Sequence, residues 1–394
     1  MKKRQLKQIF ASFLISGAVL AGCSSDDEPK EVENEMVEKE EEKEMEETPE
    51  LKAEAEIAAF TSMKEELNKA KENQEVDWSV VSTSYEEHLK GSIDNVDGEI
   101  GTAIEAAIEG GSTGDLDANV ARQLVDKLTQ SYFYKVQKGL QKEVAAELEA
   151  GNKENANTLF SEISVIAEQI FLPTAEKRDG YYELSGEFSM VENINNGLTV
   201  QQEAIDNEKA DDYKIYAQLT DKSIYKSYYL AANSYAEKIG AAIEEGKEEI
   251  ELQIMQAEGY GFLQAIVGSL SGGDEEAATK LNELFSLSTD VSTLENAEIS
   301  SLFVNAIAGK AKIYHEKVVE ALEAGEETEA KVEAMEGNMF LNMLQVQITE
   351  QLGEEQTAEV MGQAQSWFDA VNSGDKEAAQ KHSDAIVTVL DQLQ

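Results

Sequence analysis

Apolar residues along the body of the chain recur every three or four positions, as they do on one face of a helix. One run with this spacing comprises Trp78, Val81, Tyr85, Leu89, Ile93, Val96, Ile100, Ile104 and Ile108. After Pro49 the only proline is Pro173, so the body contains almost no helix-breaking residue. Because strands alternate with a period of two and helices with a period near 3.6, the pattern predicts an all-α body. Asp77 is predicted to cap the first helix of this run, and Gly110 with Gly111 to end it.

The first 22 residues have a different pattern. A basic start with Lys2, Lys3, Arg4 and Lys7 precedes an apolar run from Ile9 to Ala21. This run is too short to cross a bilayer as a permanent helix, so residues 1–22 are predicted to be a secretory signal peptide. The small residues Ala21 and Gly22 then precede Cys23, which is the only cysteine of the chain.

The block Leu20-Ala21-Gly22-Cys23 resembles the lipobox of bacterial lipoproteins. The resemblance implies that Cys23 carries a diacylglyceryl group and becomes the new amino terminus after cleavage. Two acyl chains hold a protein stably at a membrane, since each buried CH₂ contributes about 0.8 kcal/mol. The alternative is an ordinary cleaved signal peptide with a chance cysteine. Besides this diacylglyceryl group no cofactor is predicted, and a metal cation is the open alternative; the membrane is the first expected partner.

Residues 23–55 are predicted to form the lipidated end and a disordered acidic linker. The stretch is rich in glutamate and poor in apolar residues, so it cannot offset the entropy of ordering, and like charges extend it. Roughly 27 extended residues could reach about 90 Å at ~3.3 Å each. Calcium binding by the acidic run is the alternative to a solvated spacer.

Three sets of similar segments predict three degenerate repeats of a three-helix bundle unit. The first set closes a helix, at Ile108-Glu109-Gly110, Ile243-Glu244-Glu245-Gly246 and Leu322-Glu323-Ala324-Gly325. The second comprises Glu258-Gly259-Tyr260-Gly261-Phe262-Leu263 and Glu336-Gly337-Asn338-Met339-Phe340-Leu341, with Phe133-Tyr134 assigned to this position in the first copy. The third opens a helix at Gly151-Asn152, Gly273-Asp274 and Gly374-Asp375. The predicted repeats cover 56–200, 201–290 and 291–394; chance similarity of Ala/Glu-rich helices is the alternative.

The segment 173–196 within the first repeat is predicted to be a long irregular loop. It contains several turn formers around aromatic residues, among them Asp179-Gly180 before Tyr181 and Tyr182. Long irregular segments in compact proteins are often functional or act as hinges, which makes Tyr181 and Tyr182 candidate binding residues. A tolerated surface loop is the alternative.

The charge narrows the classes of partner. The formal net charge is −46, from 79 Asp and Glu against 33 Lys and Arg, and only three residues are arginine. Such a chain repels phosphate backbones, so nucleic-acid binding is not expected. Metal ions, basic peptides or a cation-rich wall would complement it, whereas simple solubility is the alternative reason for the charge.

No enzyme is predicted. His88, His315 and His382 have no second metal ligand three or four residues away, and the chain contains no HExxH, EF-hand, phosphate-loop or GxSxG motif. A nucleophile with a matching base is also not recognisable in the sequence.

Glu258 and Glu336 are the candidate binding carboxylates. Each lies one turn before a phenylalanine, Phe262 or Phe340, on a face predicted to point into a bundle. A carboxylate that points inward needs a partner, so the two glutamates could bind a hard cation; the metal itself is unknown. The alternative is a glutamate that reaches solvent or pairs with a lysine.

Further motifs in the body are Asp77-Trp78 leading to Tyr85, the helix end from Ile104 to Gly110, Glu258-Gly259-Tyr260-Gly261-Phe262, and Gly273-Asp274-Glu275-Glu276-Ala277-Ala278. Across most of residues 77–394 the chain resembles helical extracytoplasmic domains that accompany bacterial iron permease systems. The resemblance implies a non-enzymatic accessory protein in metal uptake, with a cation or a membrane protein as partner.

The predicted protein is therefore a lipid-anchored binding or accessory protein at the outer face of the cytoplasmic membrane, in an envelope of Gram-positive type. An envelope scaffold that binds other proteins is the alternative function.

Overall fold

The structure is a computed structural model, and it describes residues 51–393. Every regular element in this range is helical, which confirms the all-α prediction. Residues 52–55, which were predicted to end the disordered linker, begin the first helix instead, so the predicted boundary at 55 is wrong. The signal peptide, Cys23 and the acidic linker before residue 51 lie outside the described residues. The predictions made for them therefore stay predictions.

Sixteen α-helices follow one another in the described range. They are α1 (Lys52–Leu67), α2 (Trp78–His88), α3 (Lys90–Thr113), α4 (Ala118–Glu149), α5 (Lys153–Ile166), α6 (Leu172–Tyr181), α7 (Met190–Asp206), α8 (Ala210–Glu244), α9 (Glu249–Gln264), α10 (Val267–Leu270), α11 (Glu275–Phe285), α12 (Asn296–Ala324), α13 (Glu327–Met343), α14 (Gln345–Leu352), α15 (Glu354–Ser373) and α16 (Lys376–Leu390). Single turns of 3₁₀ helix occur at Asn68–Glu72, Gly186–Phe188 and Val291–Thr293, and a π turn at Ala167–Phe171 links α5 to α6.

The helices α4 and α8 lie at the centre of the fold. Residues 120–134 of α4 and 220–234 of α8 are buried on every side. Helix α9 packs against both α4 and α8, and α13 packs in the same way against both α8 and α12. A helix that is buried all round presents its polar residues to the interior as well, and those residues then need partners.

The prediction of a cap at Asp77 is confirmed, because its side chain accepts a hydrogen bond from the amide of Ser79 at the start of α2. The predicted helix end at Gly110 and Gly111 is wrong. Helix α3 continues to Thr113, and Gly114 with φ of 81° follows it. The earlier glycines serve helix contacts instead, since a Cβ on Gly111 would lie 2.3 Å from the ring of Trp78.

The prediction of a long irregular loop over 173–196 is also wrong. Helices α6 and α7 occupy most of this segment, and only residues 182–189 separate them. Pro173 lies in the first turn of α6, where a missing N–H is tolerated. The Asp179 carboxylate accepts hydrogen bonds from the Ser189 hydroxyl (2.7 Å) and the Met190 amide (2.9 Å), and so holds the start of α7 against α6.

The long helices α4, α8 and α12 end alike, at glycines with positive φ: Gly151 (76°), Gly246 (70°) and Gly325 (77°). The sequence Gln-Leu-x-Asp-Lys occurs at 123–127 in α4 and at 218–222 in α8, at the same distance from the glycine. The shared motif and the shared glycine terminus make α4 the equivalent of α8, whereas the predicted repeats assigned Phe133-Tyr134 of α4 to the position of α9. The number of repeats and their boundaries stay a prediction; the boundary at 200 falls inside α7.

Candidate functional site

Two buried lysine clusters explain the Glu-Gly-x-x-Phe segments of α9 and α13. We call Asp126, Lys127, Tyr235, Glu258 and Phe262 the α4 cluster. Its counterpart, the α8 cluster, comprises Asp221, Lys222, Tyr314, Glu336 and Phe340. In each, a lysine of a central helix is covered by a glutamate and a phenylalanine from the helix that crosses it.

In the α4 cluster, Lys127 Nζ lies 2.8 Å from Asp126 Oδ2 and 3.6 Å from Glu258 Oε1. The same ammonium lies 5.0 Å from the centroid of the Phe262 ring. The Phe262 ring in turn stacks on Tyr235, with 6.3 Å between centroids and 16° between planes. The ammonium is therefore surrounded by two carboxylates and the face of one aromatic ring.

The α8 cluster repeats this arrangement with shorter ion pairs. Lys222 Nζ lies 2.6 Å from Asp221 Oδ2 and 3.1 Å from Glu336 Oε1. The Phe340 centroid is 5.8 Å from the ammonium, and Phe340 stacks on Tyr314 at 5.4 Å with 15° between planes. The two clusters share residue types and geometry. The Glu-Gly-x-x-Phe pattern therefore has the same structural cause in α9 and in α13.

The glycine after each glutamate permits the close approach of the helices. A Cβ on Gly259 would lie 3.2 Å from Tyr235 Cβ and 2.4 Å from the Phe285 ring. A Cβ on Gly337 would lie 3.2 Å from Tyr314 Cβ and 3.0 Å from the Trp367 ring. The Glu-Gly-x-x-Phe pattern is therefore one packing unit, in which the glutamate binds lysine, the glycine makes room and the phenylalanine stacks on tyrosine.

The charges in the clusters stabilise each other. Burial acts to raise the pKa of Asp126, but the charges of Lys127 and Lys64, together with the hydrogen bonds from Lys127 and Gln130, outweigh burial and hold this pKa at about 2. Burial acts to lower the pKa of Lys222, but the carboxylates of Asp221 and Glu336 outweigh it and raise that pKa above its ordinary value. Both groups are consequently ionised at neutral pH.

The candidate carboxylates Glu258 and Glu336 are thus paired with lysines, which is the alternative that the sequence left open. Phe262 and Phe340 lie over those lysines. Each glutamate lies 3.1–3.6 Å from an ammonium, which competes with any cation for the same oxygen. Among the described residues, no group of three His, Cys, Asp or Glu side chains is arranged to hold a metal ion.

Tyr181 and Tyr182 lie apart from both clusters, at the end of α6. Tyr181 donates to Glu237 Oε2 (2.9 Å), and Tyr182 donates to Glu237 Oε1 (3.1 Å). Burial, then the hydrogen bond to Glu237 and the charge of that carboxylate, raise the pKa of Tyr181 to about 12. The two phenols therefore fasten α6 to α8, although the Tyr181 ring is 44% exposed.

The sequence analysis did not find the lysine and aspartate members of the clusters. A usable signal was present, because Gln-Leu-x-Asp-Lys stands in two helices at the same distance from the terminal glycine. Lys226, one turn after Lys222, was also missed. Its ammonium donates to Asn342 Oδ1 (2.8 Å) and to the Phe188 carbonyl (3.2 Å).

Of the three histidines, His315 is the buried one. Its ring stacks on Trp367 at 3.9 Å, Nδ1 lies 3.0 Å from the Ser383 hydroxyl, and burial lowers its pKa to about 3. His315 is consequently a neutral core side chain at physiological pH.

No protein-family model matches the chain, and neither a curated protein nor a solved structure shows significant similarity to it. Within residues 51–393, no helix combines the length and apolar character needed to cross a membrane.

Proposed function

We propose that the protein is a lipid-tethered, non-enzymatic binding protein of the bacterial cell envelope. The observation that carries the proposal is the order of the segments: a basic and apolar start, Cys23 after two small residues, an acidic stretch, and then a helical body that begins at α1. In a lipoprotein this order places the body on the outer face of the cytoplasmic membrane, held by a diacylglyceryl group on Cys23.

The character of the body supports a binding role for small ligands over a scaffold role. Large apolar residues that are exposed in residues 51–393 are Val80, Val96, Tyr181 and Leu287, and they lie on different helices or loops. Stable protein interfaces need a larger contiguous surface with buried anchors. Cavities between the helices supply concave surface instead.

The first experiment tests the tether. The full chain and a Cys23→Ser variant are expressed in a bacterium of Gram-positive type, and membrane fractions are compared by immunoblot and by mass spectrometry of the amino-terminal peptide. We expect a diacylglyceryl group on Cys23 and loss of membrane retention in the variant. An unmodified mature chain that begins elsewhere would contradict the proposal.

The second experiment tests whether the protein binds a metal ion through Glu258 and Glu336. Calorimetric titration of the full chain with Ca²⁺, Mg²⁺ and Fe³⁺ is compared with that of a Glu258→Gln/Glu336→Gln variant. A cation that uses these carboxylates should lose its heat of binding in the variant. Equal heats for the two proteins would remove both glutamates from any cation site, and the tether would be unaffected.

A further inference from the structure

A cavity of about 680 Å³ lies where two helices are interrupted. Helix α3 bends at Asp97, whose backbone is extended (φ −160°, ψ 97°), and α9 ends at Gln264 before α10 begins at Val267. Residues of both interruptions line the cavity together with one face of α4. Its volume is in the range of pockets that hold small organic molecules.

Three lysines of α4 line this cavity: Lys135, Lys138 and Lys142. Their spacing of three and four residues places them on one face of the helix. Lys135 pairs with Asp97. Among the described residues, no carboxylate oxygen lies within 4.0 Å of the ammonium of Lys138 or Lys142.

Two lysines without a carboxylate partner in one cavity stand out in this chain, because acidic residues outnumber basic ones by 79 to 33. The Lys138 ammonium lies 5.6 Å from the centroid of the Tyr134 ring, which also lines the cavity. The carboxylates of the lining are Asp97, which is paired, and Glu99. Against three lysines these leave one net positive charge among the lining residues; the Asp221 carboxylate, which attracts Lys138, lies outside the lining and pairs with Lys222. The local charge is thus opposite in sign to that of the whole protein, and it attracts anions.

The remaining walls suit an organic body. Ile100, Leu128 and Val267 supply apolar surface, and Tyr260 supplies an aromatic ring. Gln264 Nε2 donates to Asn282 Oδ1 (2.8 Å), and both side chains belong to the lining. Ligand sites commonly combine an apolar lining with a few polar groups of this kind.

We propose that this cavity binds a small organic anion, with one or two carboxylate or phosphate groups held by Lys138 and Lys142 and an apolar or aromatic body against Tyr260. The proposal rests on the binding role given above and names the ligand class. A lysine ammonium suits such groups as a point charge, and its attraction for them falls as salt is added.

Calorimetry on the full chain in detergent micelles tests the charge requirement. The probes are benzene-1,3-dicarboxylate, which has an aromatic body, and inorganic phosphate, which has none. We expect the dicarboxylate to bind more tightly than phosphate, and its Kd to rise at least tenfold in a Lys138→Gln/Lys142→Gln variant. The matched control, Lys331→Gln/Lys381→Gln on α13 and α16, removes the same charge elsewhere and should change Kd less than twofold.

A second variant tests the location. Gly139 on α4 lines the cavity, and a Cβ there would meet no atom within 4 Å, so Gly139→Phe should fold and fill the space. Gly362→Phe on α15, where a Cβ is equally free, is the control. Binding should be lost in the first variant and kept in the second.

Three results would overturn the proposal: neither probe binds at millimolar concentration, both lysine pairs weaken binding equally, or Gly139→Phe binds like the parent. Each is distinct from failure of the tether, because membrane retention through Cys23 is measured without any ligand.

Discussion

Lys222 and Lys226 lie one turn apart on α8, both buried, yet in opposite electrostatic settings. Lys222 contacts two carboxylates, at 2.6 Å and 3.1 Å. Lys226 contacts an amide oxygen and a backbone carbonyl, which carry only partial charge. Burial lowers the pKa of Lys226 to about 7, with the Asp179 charge opposing it, whereas the pKa of Lys222 is raised.

Because both ammoniums are buried, the difference between their pKa values comes from the charge of their partners: two carboxylates offset the effect of burial at Lys222, and neutral oxygens do not at Lys226. Lys222 is a permanent cation that holds α13 on α8. Lys226 changes protonation near neutral pH while it joins the Gly186–Phe188 turn to α13. One helix thus contains both a fixed ionic contact and a pH-sensitive polar contact.

The largest expected effect comes from Asp221→Asn, which leaves the Lys222 ammonium with only Glu336. Breaking a buried ion pair strongly destabilises a protein, so we expect a loss of about 3–4 kcal/mol in the free energy of unfolding. Urea denaturation followed by circular dichroism at 222 nm measures this. Asp126→Asn is the matched change in the α4 cluster and should lose a similar amount; a loss below about 1 kcal/mol in both would mean that the clusters do not stabilise the fold.

Lys226→Met should change how stability depends on pH. Since the folded pKa (about 7) lies below the ordinary 10.5, the native chain binds fewer protons than the unfolded chain between these values. The contribution of Lys226 to the free energy of unfolding therefore rises with pH from about 7 to 10.5. Below pH 7 the buried ammonium destabilises the fold by its full amount.

The methionine variant lacks this penalty, so its advantage over the parent should be largest at pH 6 and should shrink by on the order of 3 kcal/mol towards pH 10. Urea denaturation of both proteins at pH 6, 8 and 9.5 measures the difference. A stability difference that is constant across these pH values would show that Lys226 keeps an ordinary pKa in the fold.

Glu336→Gln and Glu258→Gln compare the twin clusters directly. Each variant keeps a hydrogen-bonding side chain but removes the more distant of the two negative charges, so we expect losses of about 1–2 kcal/mol. The loss should be larger for Glu336, whose oxygen is 3.1 Å from the ammonium, than for Glu258 at 3.6 Å. The same urea titration ranks them, and a reversed order would mean that distance to lysine does not govern the effect.

The smallest effect is expected for Lys138→Gln, at a lysine that is partly exposed and unpaired with any carboxylate within the described residues. Its free energy of unfolding should stay within about 0.5 kcal/mol of the parent. Thermal unfolding measures this, with Lys331→Gln as the control. A large loss would assign Lys138 a structural role and weaken the case for a ligand at this position.

Local patterns in the sequence were enough for the helical class and for the cap at Asp77. They were also enough to single out Glu258, Phe262, Glu336 and Phe340 as inward-facing positions, because apolar spacing and capping depend on neighbouring residues. The glycines at 110 and 111 were misassigned, since a glycine that ends a helix and a glycine that admits a neighbouring ring look alike in sequence.

The segment 173–196 was misassigned for a related reason. Turn-forming residues are tolerated in α6 and α7 because Asp179 caps the second helix across the turn between them, and a local pattern does not reveal that contact.

By itself, the sequence determined that the body is helical and which faces of several helices turn inward. Only the tertiary structure decided which partner each buried charged side chain contacts. Lys226 and its partner Asn342 are 116 residues apart in the sequence. Whether Lys222 contacts a carboxylate or a carbonyl depends on how α13 packs against α8. Helical periodicity is a property of neighbouring residues, whereas the partner of a buried charge depends on the helix that covers it.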